Sequence, residues 1–199
     1  MDSVIHPIFP TAVYHANIPN ISSPNPKHFK RDVLGGVNSG NEFTTNYRVL
    51  DSKQYKPLKK IIKTHIDNYV KNIINPSTEF KVEITLSHIN WIPKGGFHHI
   101  HDHPNSFLSG VFYFDVDTDD GLNFHKREHN FFRIYPREWN YYNSHLWTIK
   151  VNKGDLLIFP SHLLHSVSNV KMEQKRCTLA FNTIIKGNIG GDDLTELTL

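Results

Sequence analysis

The sequence predicts a mainly β protein, a double-stranded β-helix or jelly-roll with one or two packed helices. The first observation behind this fold class is that, after Glu79, short apolar runs alternate with turn residues. Many short strands in succession are typical of sandwiches and barrels rather than of βαβ sheets. The second observation is that a single strong helical pattern precedes these runs. The strand-like runs are FKVEITLSHINWI, FLSGVFYFDV, GLNFH, FFRIY, LWTIKV, DLLIFPS and RCTLAFNTII.

The helical pattern extends from Lys56 to Ile74, where apolar residues recur at a spacing of three and four until NPS ends it. We expect one amphipathic helix that packs on the sheet. The 199 residues suit one domain. Within it, residues 1–78 supply a strand at Ile8–Ile18, a loop and helical support. Residues 79–187 form the jelly-roll core, and residues 188–199 are expected to form a mobile or loosely docked tail.

Composition narrows the classes of protein. Charged residues make up 21% of the chain, and no apolar run reaches the ~18–20 residues of a membrane helix. The N-terminus lacks the features of a signal peptide, and the single Cys177 excludes an internal disulfide and a cysteine zinc cluster. The net charge of +3 is spread along the chain, so no strong nucleic-acid or membrane signal is present. We expect a cytoplasmic protein, for which a homodimer is one allowed assembly.

A histidine cluster stands at the mouth of a predicted strand, in the stretch HHIHDHPNSFLSGVFYF that begins at His98. Residues two apart on a strand project to the same side, so His101 and His103 can meet one metal ion while Asp102 points away. Asp102 or His99 in place of His103 is the alternative ligand choice. The simpler alternative for the cluster is an exposed polar loop.

A third imidazole is offered by the distant segment VNKGDLLIFPSHLLHSV. A Gly-Asp turn, a buried strand and a Pro-Ser loop deliver either His162 or His165. We favour His165, because it begins the next strand and can face the barrel interior. Two histidines close in sequence and one distant histidine form a facial triad that leaves open positions on a metal.

An arginine completes the pattern. Arg176, eleven residues after His165, shares one strand face with Thr178, Ala180 and Asn182. The ordered combination of H-x-H, a distal histidine and R-x-T resembles the 2-oxoglutarate/Fe(II)-dependent oxygenase superfamily. The segments HDHPNSFLSGVFYF, GDLLIFPSHLLHSV and RCTLAFN more narrowly resemble a little-characterised bacterial and phage branch of it. The resemblance extends from about Leu86 to Ile185.

The resemblance implies a set of site residues. His101, His103 and His165 would bind Fe(II), and Arg176 with Thr178 would hold the far carboxylate of 2-oxoglutarate, which a planar guanidinium can bind through two hydrogen bonds. The superfamily usually has an acidic residue where this chain has His103. Tyr113, Asn182 and Asn90 could face the site as further contacts to substrate or co-substrate, or could be ordinary strand residues. For Arg176, the alternative is a structural pair with an internal acidic residue.

The resulting hypothesis is a dioxygenase, a hydroxylase of an unidentified prime substrate that converts O2 and 2-oxoglutarate into succinate and carbon dioxide. The insert from Lys126 to Trp147 is aromatic and basic, and it is either a substrate lid or a packed surface loop. One alternative function is a cupin-like three-histidine metalloenzyme that does not use 2-oxoglutarate. Another is a non-catalytic jelly-roll protein of the binding or virion-associated kind.

Overall fold

Two antiparallel β-sheets face each other in the computed structural model, which describes residues 3–33, 40–127, 134–191 and 195–199. This arrangement confirms the predicted mainly β, double-stranded β-helix fold. The strands are β1 Tyr14–Asn17, β2 Arg31–Val33, β3 Glu42–Thr44, β4 Phe80–Ile92, β5 His98–His101, β6 Leu108–Asp115, β7 Gly121–His125, β8 Leu146–Lys150, β9 Asp155–Pro160, β10 His165–Val167, β11 Arg176–Ile189 and β12 Leu197–Thr198.

The larger sheet has the strand order β1-β9-β6-β11-β4-β3-β2, and β12 pairs with β11 beyond this path. The smaller sheet has the order β5-β10-β7-β8. Strands that are far apart in sequence are therefore neighbours in both sheets. The long strand β11 runs between β4 and β6, with Thr178 opposite both Asn90 and Tyr113.

The predicted amphipathic helix is present as α1, Lys56–Tyr69, and continues through a π-helical turn at Val70–Ile74. The turn ends at Asn75, whose φ of 47° is left-handed. Two short 3-10 turns, Pro26–His28 and Val49–Asp51, precede the helix. The buried face of α1 packs on the larger sheet through Leu58, Ile62, Ile66 and Tyr69.

The larger sheet is covered on both faces, which explains its nearly unbroken apolar runs. Its outer face packs against α1 in one cluster that includes Trp91, Phe112 and Leu179. Its inner face forms a second cluster with the smaller sheet, which includes Tyr113 and Phe159. Because side chains alternate along a strand, neighbouring residues of β4, β6 and β9 divide between the two clusters. The inner cluster lies on the sheet face that also carries Arg176, Thr178 and Asn90.

Some predicted elements differ in extent. The strand expected at Ile8–Ile18 is limited to β1, and β5 ends at His101 rather than continuing through His103. The strand expected at FFRIY begins with residues 131–133, which lie outside the described residues, and Ile134 and Tyr135 form no strand. The final residues return as β12, where Thr198 pairs with Asn188. None of the helices among the described residues has the length and apolar character to cross a membrane.

A test of this packing is available at Gly110, which lies on β6 between β9 and β11. A Cβ atom there would lie 2.2 Å from the Phe181 ring and 2.8 Å from the Leu157 carbonyl oxygen. We therefore expect Gly110→Ala to lower the free energy of unfolding by about 1–3 kcal/mol, the usual cost of overpacking. The measurement is urea unfolding.

The matched experiment repeats Gly110→Ala in a Phe181→Leu background. The smaller leucine side chain removes part of the clash, so Gly110→Ala should lower the free energy of unfolding by less in that background. An unfolding midpoint for Gly110→Ala equal to that of the parent would contradict the close approach of β6 and β11.

Candidate active site

Two of the predicted ligands, His101 and His165, are brought together by strand pairing. His101 is the last residue of β5, His165 is the first of β10, and the antiparallel register places them directly opposite each other. Their ring centroids are 4.2 Å apart. Because β10 lies between β5 and β7 in the smaller sheet, this register fixes the positions of two of the three imidazoles.

The third imidazole, His103, reaches the cluster from the turn beyond β5 rather than from the strand. Strand alternation, from which the sequence predicted that His103 lies beside His101, is therefore not the cause of its position. Its ring centroid lies 5.1 Å from that of His101 and 5.0 Å from that of His165. One ligand atom from each of the three histidines lies within 4.8 Å of the others.

The spacing of the nitrogen atoms suits a shared metal ion. The Nε2 atoms of His103 and His165 are 3.2 Å apart. Imidazole nitrogens bind zinc at about 2.0–2.1 Å, so two such ligands on one ion lie about 3 Å apart. The residues present therefore fit a divalent metal bound by three imidazoles.

Local carbonyl groups orient two of the three rings. Nδ1 of His101 lies 2.8 Å from the His99 carbonyl oxygen, and Nδ1 of His165 lies 2.8 Å from the Leu163 carbonyl oxygen. A nitrogen that donates to a carbonyl carries the ring proton, which leaves Nε2 with the lone pair that a metal needs. Both rings are thereby held in the ligand tautomer.

Burial keeps the imidazoles neutral. Desolvation, together with the neighbouring His101, lowers the pKa of His165 to about 3 and that of His103 to about 4. The pKa of His101 is also lowered, chiefly by burial. Neutral imidazole is the form that ligates metals, so near neutral pH the cluster requires no deprotonation before a metal binds.

Two of the alternative ligands, Asp102 and His162, point elsewhere. Asp102 forms an ion pair with Arg127, whose guanidinium also donates to the His162 carbonyl oxygen at 3.2 Å. This pair holds the Asp102 carboxylate away from the three imidazoles. His162 is exposed on the loop after β9, whereas His165 is only 3% exposed.

Arg176 lies at the opposite end of the inner face and is 2% exposed. Its Nε atom donates to the Asp120 carboxylate at 2.6 Å, so the structural pair considered as the alternative is present. The pair uses only one edge of the guanidinium. Nη2 of Arg176 and the hydroxyl of Tyr113 are both buried and have no hydrogen-bond partner among the described residues.

Tyr113 adjoins this free edge. The guanidinium carbon of Arg176 lies 5.3 Å from the centroid of the Tyr113 ring. Burial raises the pKa of Tyr113, so its hydroxyl stays protonated and can donate a hydrogen bond. Two unpaired donors in a buried site are costly unless an acceptor joins them, and a carboxylate has the matching geometry.

The remaining predicted residues lie between the two ends. Thr178 and Asn90 are adjacent on β11 and β4 beside Tyr113, and all three are buried. Asn182 lies six residues from Arg176 on the same strand face, at the histidine end. Its amide nitrogen is 3.5 Å from Nδ1 of His103. The structure thus brings Asn182 to a metal-ligand candidate and away from Arg176.

His88, which belongs to the same inner face of β4 as Asn90, is not among the site residues predicted from the sequence. His88 pairs across the sheet with Ala180, between the Asn182 and Thr178 positions. Its Nδ1 atom is buried without a hydrogen-bond partner among the described residues, and burial with the nearby His101 lowers the pKa of His88 to about 4. Alternation back from Asn90 was the signal that could have identified it.

The insert expected as a lid connects β7 to β8. Its two ends are joined, because Lys126 N donates to the His145 carbonyl oxygen at 2.9 Å, and Arg127 ties its start to Asp102. Of the insert, residues 128–133 lie outside the described residues. The described part exposes the aromatic side chains of Tyr135, Trp139, Tyr141 and Tyr142. Whether the insert closes over substrate stays a prediction.

Comparison with known families decides the assignment. The family model described as "Putative 2OG-Fe(II) oxygenase" matches residues 87–182, which include the three histidines and Arg176. Residues 87–182 of the chain therefore belong to the 2-oxoglutarate/Fe(II)-dependent oxygenase family. A search among curated proteins finds no match.

Solved structures show that this oxygenase shares its fold with others at low sequence identity. HygX from Streptomyces hygroscopicus, with nickel, 2-oxoglutarate and hygromycin B bound, is 13% identical, with a TM-score of 0.56 over 87% of this chain and 82% of that one. A prolyl-4-hydroxylase from Pseudomonas putida is 12% identical, with a TM-score of 0.52 over 77% of each chain. The α-ketoglutarate-dependent epimerase SnoN of nogalamycin biosynthesis is 10% identical, with a TM-score of 0.56 over 85% and 72%.

The ligand assignment can be tested by comparing neighbours in the HDH motif. We expect His103→Ala to weaken binding of Co(II) severely, because it removes one of three imidazoles. Asp102→Asn should retain parent-like affinity, because that carboxylate pairs with Arg127 instead. Calorimetric titration of the metal-free proteins with Co(II) gives the two affinities. Loss of binding in Asp102→Asn with retention in His103→Ala would show that the carboxylate is the ligand.

Proposed function

We propose that this oxygenase uses Fe(II), bound by His101, His103 and His165, with 2-oxoglutarate, bound by Arg176 and Tyr113, to hydroxylate a prime substrate. The observation that carries the proposal is a pair of sites between the two sheets that lack their bonding partners. Three neutral imidazoles converge at one end. A buried guanidinium edge and a phenol hydroxyl lack an acceptor at the other.

Charge supports the use of 2-oxoglutarate, which has two carboxylates. A neutral three-imidazole site leaves the full charge of the metal to attract the keto-acid end of the co-substrate. The far carboxylate can then accept hydrogen bonds from Nη2 of Arg176 and from the Tyr113 hydroxyl. Asp120 offsets part of the Arg176 charge, but it also fixes the guanidinium so that Nη2 stays available.

The chain's residues have separate roles in this scheme. Arg176 and Tyr113 orient the co-substrate, and the apolar inner cluster around Phe159 excludes water. Thr178 can add a hydroxyl donor near the far carboxylate. His88, between the two ends, offers Nδ1 to a co-substrate oxygen. When bound, Fe(II) and 2-oxoglutarate would supply the electrons that activate O2, which is the oxidant of the reaction.

Hydroxylation goes one step beyond the shared fold, because proteins with this fold include both a hydroxylase and an epimerase. The prime substrate is not specified by the described residues. A cytoplasmic location, a bacterial or phage origin and a homodimer stay predictions of the sequence.

The co-substrate site makes a quantitative prediction. In the iron-loaded protein without oxygen, Arg176→Ala should weaken 2-oxoglutarate binding by roughly 30- to several-thousand-fold, since losing one partner of a buried charge pair costs ~2–5 kcal/mol. Arg176→Lys should recover part of the affinity, because an ammonium keeps the charge but not the planar fork. Tyr113→Phe should weaken 2-oxoglutarate binding by about 2- to 10-fold, as expected for the loss of one neutral hydrogen bond.

The measurement is the visible charge-transfer band of the iron-bound keto acid. Arg31→Ala provides the matched control, because Arg31 lies on the outer surface over the Trp91 ring and should leave the affinity unchanged. Parent-like binding by Arg176→Ala would overturn the co-substrate assignment. Oxygen consumption that never requires 2-oxoglutarate would instead support the three-histidine alternative.

A further inference from the structure

His103 differs from the other two imidazoles in what orients it. Carbonyl groups two residues earlier in the chain hold Nδ1 of His101 and of His165. His103 lies in the turn after β5, and its Nδ1 contact among the described residues is the side chain of Asn182, 79 positions away. The placement of this ring therefore depends on β11.

A closed cycle of hydrogen bonds joins His103 to three other elements. The His103 backbone N–H donates to the Ser161 carbonyl oxygen at 3.0 Å, and the Ser161 and Ser109 hydroxyl oxygens are 2.8 Å apart. The Ser109 hydroxyl donates to Oδ1 of Asn182 at 2.8 Å, and Nδ2 of Asn182 lies 3.5 Å from Nδ1 of His103. The cycle thus holds both the backbone and the ring of His103.

The two serines of this cycle are fully buried, so their hydroxyl groups have no access to water. Ser161 and Ser109 are 0% and 1% exposed, so each hydroxyl depends on protein partners for its hydrogen bonds. A buried polar network of this kind fixes geometry more firmly than single surface contacts do.

We propose that Asn182 is the positioning residue that makes His103 a metal ligand, with its amide oxygen accepting the Nδ1 proton of the imidazole. This inference rests on the proposed metal site. An imidazole that ligates through Nε2 must carry its proton on Nδ1 and needs an acceptor there. A half-turn of the amide exchanges Nδ2 and Oδ1, two atoms of nearly equal size. The Ser109 hydroxyl, which can donate or accept, then accepts from Nδ2 and donates to Ser161.

The assignment gives Asn182 a role different from that expected from the sequence. It does not contact the co-substrate carboxylate, because Arg176 and Tyr113 lie at the far end of the strand face. It provides an acceptor for the Nδ1 proton of His103, as the His99 and Leu163 carbonyl oxygens do for the other two rings. The three ligands would then share one tautomer through three unrelated acceptors.

Variants at position 182 separate positioning from simple packing. Asn182→Leu removes the acceptor and should weaken Co(II) binding by about 10- to 100-fold, as loss of an outer-shell partner usually does. Asn182→Asp keeps an acceptor and should bind Co(II) at least as tightly as the parent. Ser109→Ala breaks the cycle without touching the ring and should weaken binding by a smaller factor. Calorimetry with Co(II) alone measures all three affinities.

The matched control is Asn123→Leu. Asn123 is also a buried strand asparagine with two side-chain hydrogen bonds, to Ser168 and Thr148, but it faces away from the histidines. We expect it to lower the melting temperature of the metal-free protein while Co(II) affinity stays that of the parent. Nitrogen-15 spectra of the Zn(II)-loaded parent should show a proton on Nδ1 of His103.

Two outcomes overturn the inference while leaving the proposed function intact. One is parent-like Co(II) affinity in Asn182→Leu, or in Ser109→Ala should Asn182→Leu fail to fold. The other is equal weakening by Asn182→Asp and Asn182→Leu, which would mean that only packing matters. Failure of the parent itself to bind Co(II) would instead overturn the proposed metal site.

Discussion

The pairing of β10 with β5 is the constraint on which the rest of the site depends. Its register sets His165 opposite His101, although 64 positions separate them in the chain. Every other feature of the metal end is arranged around this pair, including the turn that returns His103 to it. A shift of one residue would turn one imidazole to the other face of the sheet and dismantle the cluster.

The space between the two sheets has a neutral end, formed by the imidazoles, and a positively charged end, formed by Arg176. Neutral imidazoles at one end concentrate the charge of a bound cation, and Arg176 at the other end keeps a positive charge that Asp120 only partly offsets. A molecule with an acidic group at each end fits this arrangement. The residues between the ends, Thr178, Asn90 and His88, add no charged side chain, because burial lowers the pKa of His88 to about 4.

Sequence reasoning predicted most of the fold, because strands buried on both faces leave long apolar runs that local patterns detect. It placed β4, β6, β9 and β11 well for this reason, and the H-x-H and distal histidine motifs were visible as spacing. It did not predict the features that depend on contacts between residues far apart in the sequence. Asp120 approaches Arg176 across 56 positions, and the cycle that holds His103 joins four segments, so neither is encoded in any local pattern. His88 was overlooked because a lone histidine within an apolar strand carries little signal by itself.

The central claim is that three imidazoles, and no protein carboxylate, bind the metal. X-ray absorption at the cobalt edge of the Co(II)-loaded protein, without co-substrate, tests it most directly because imidazole rings give a distinctive multiple-scattering pattern. The account predicts three imidazoles in the parent and two in His103→Ala. Two imidazoles and a carboxylate oxygen in the parent, unchanged in His103→Ala, would contradict it.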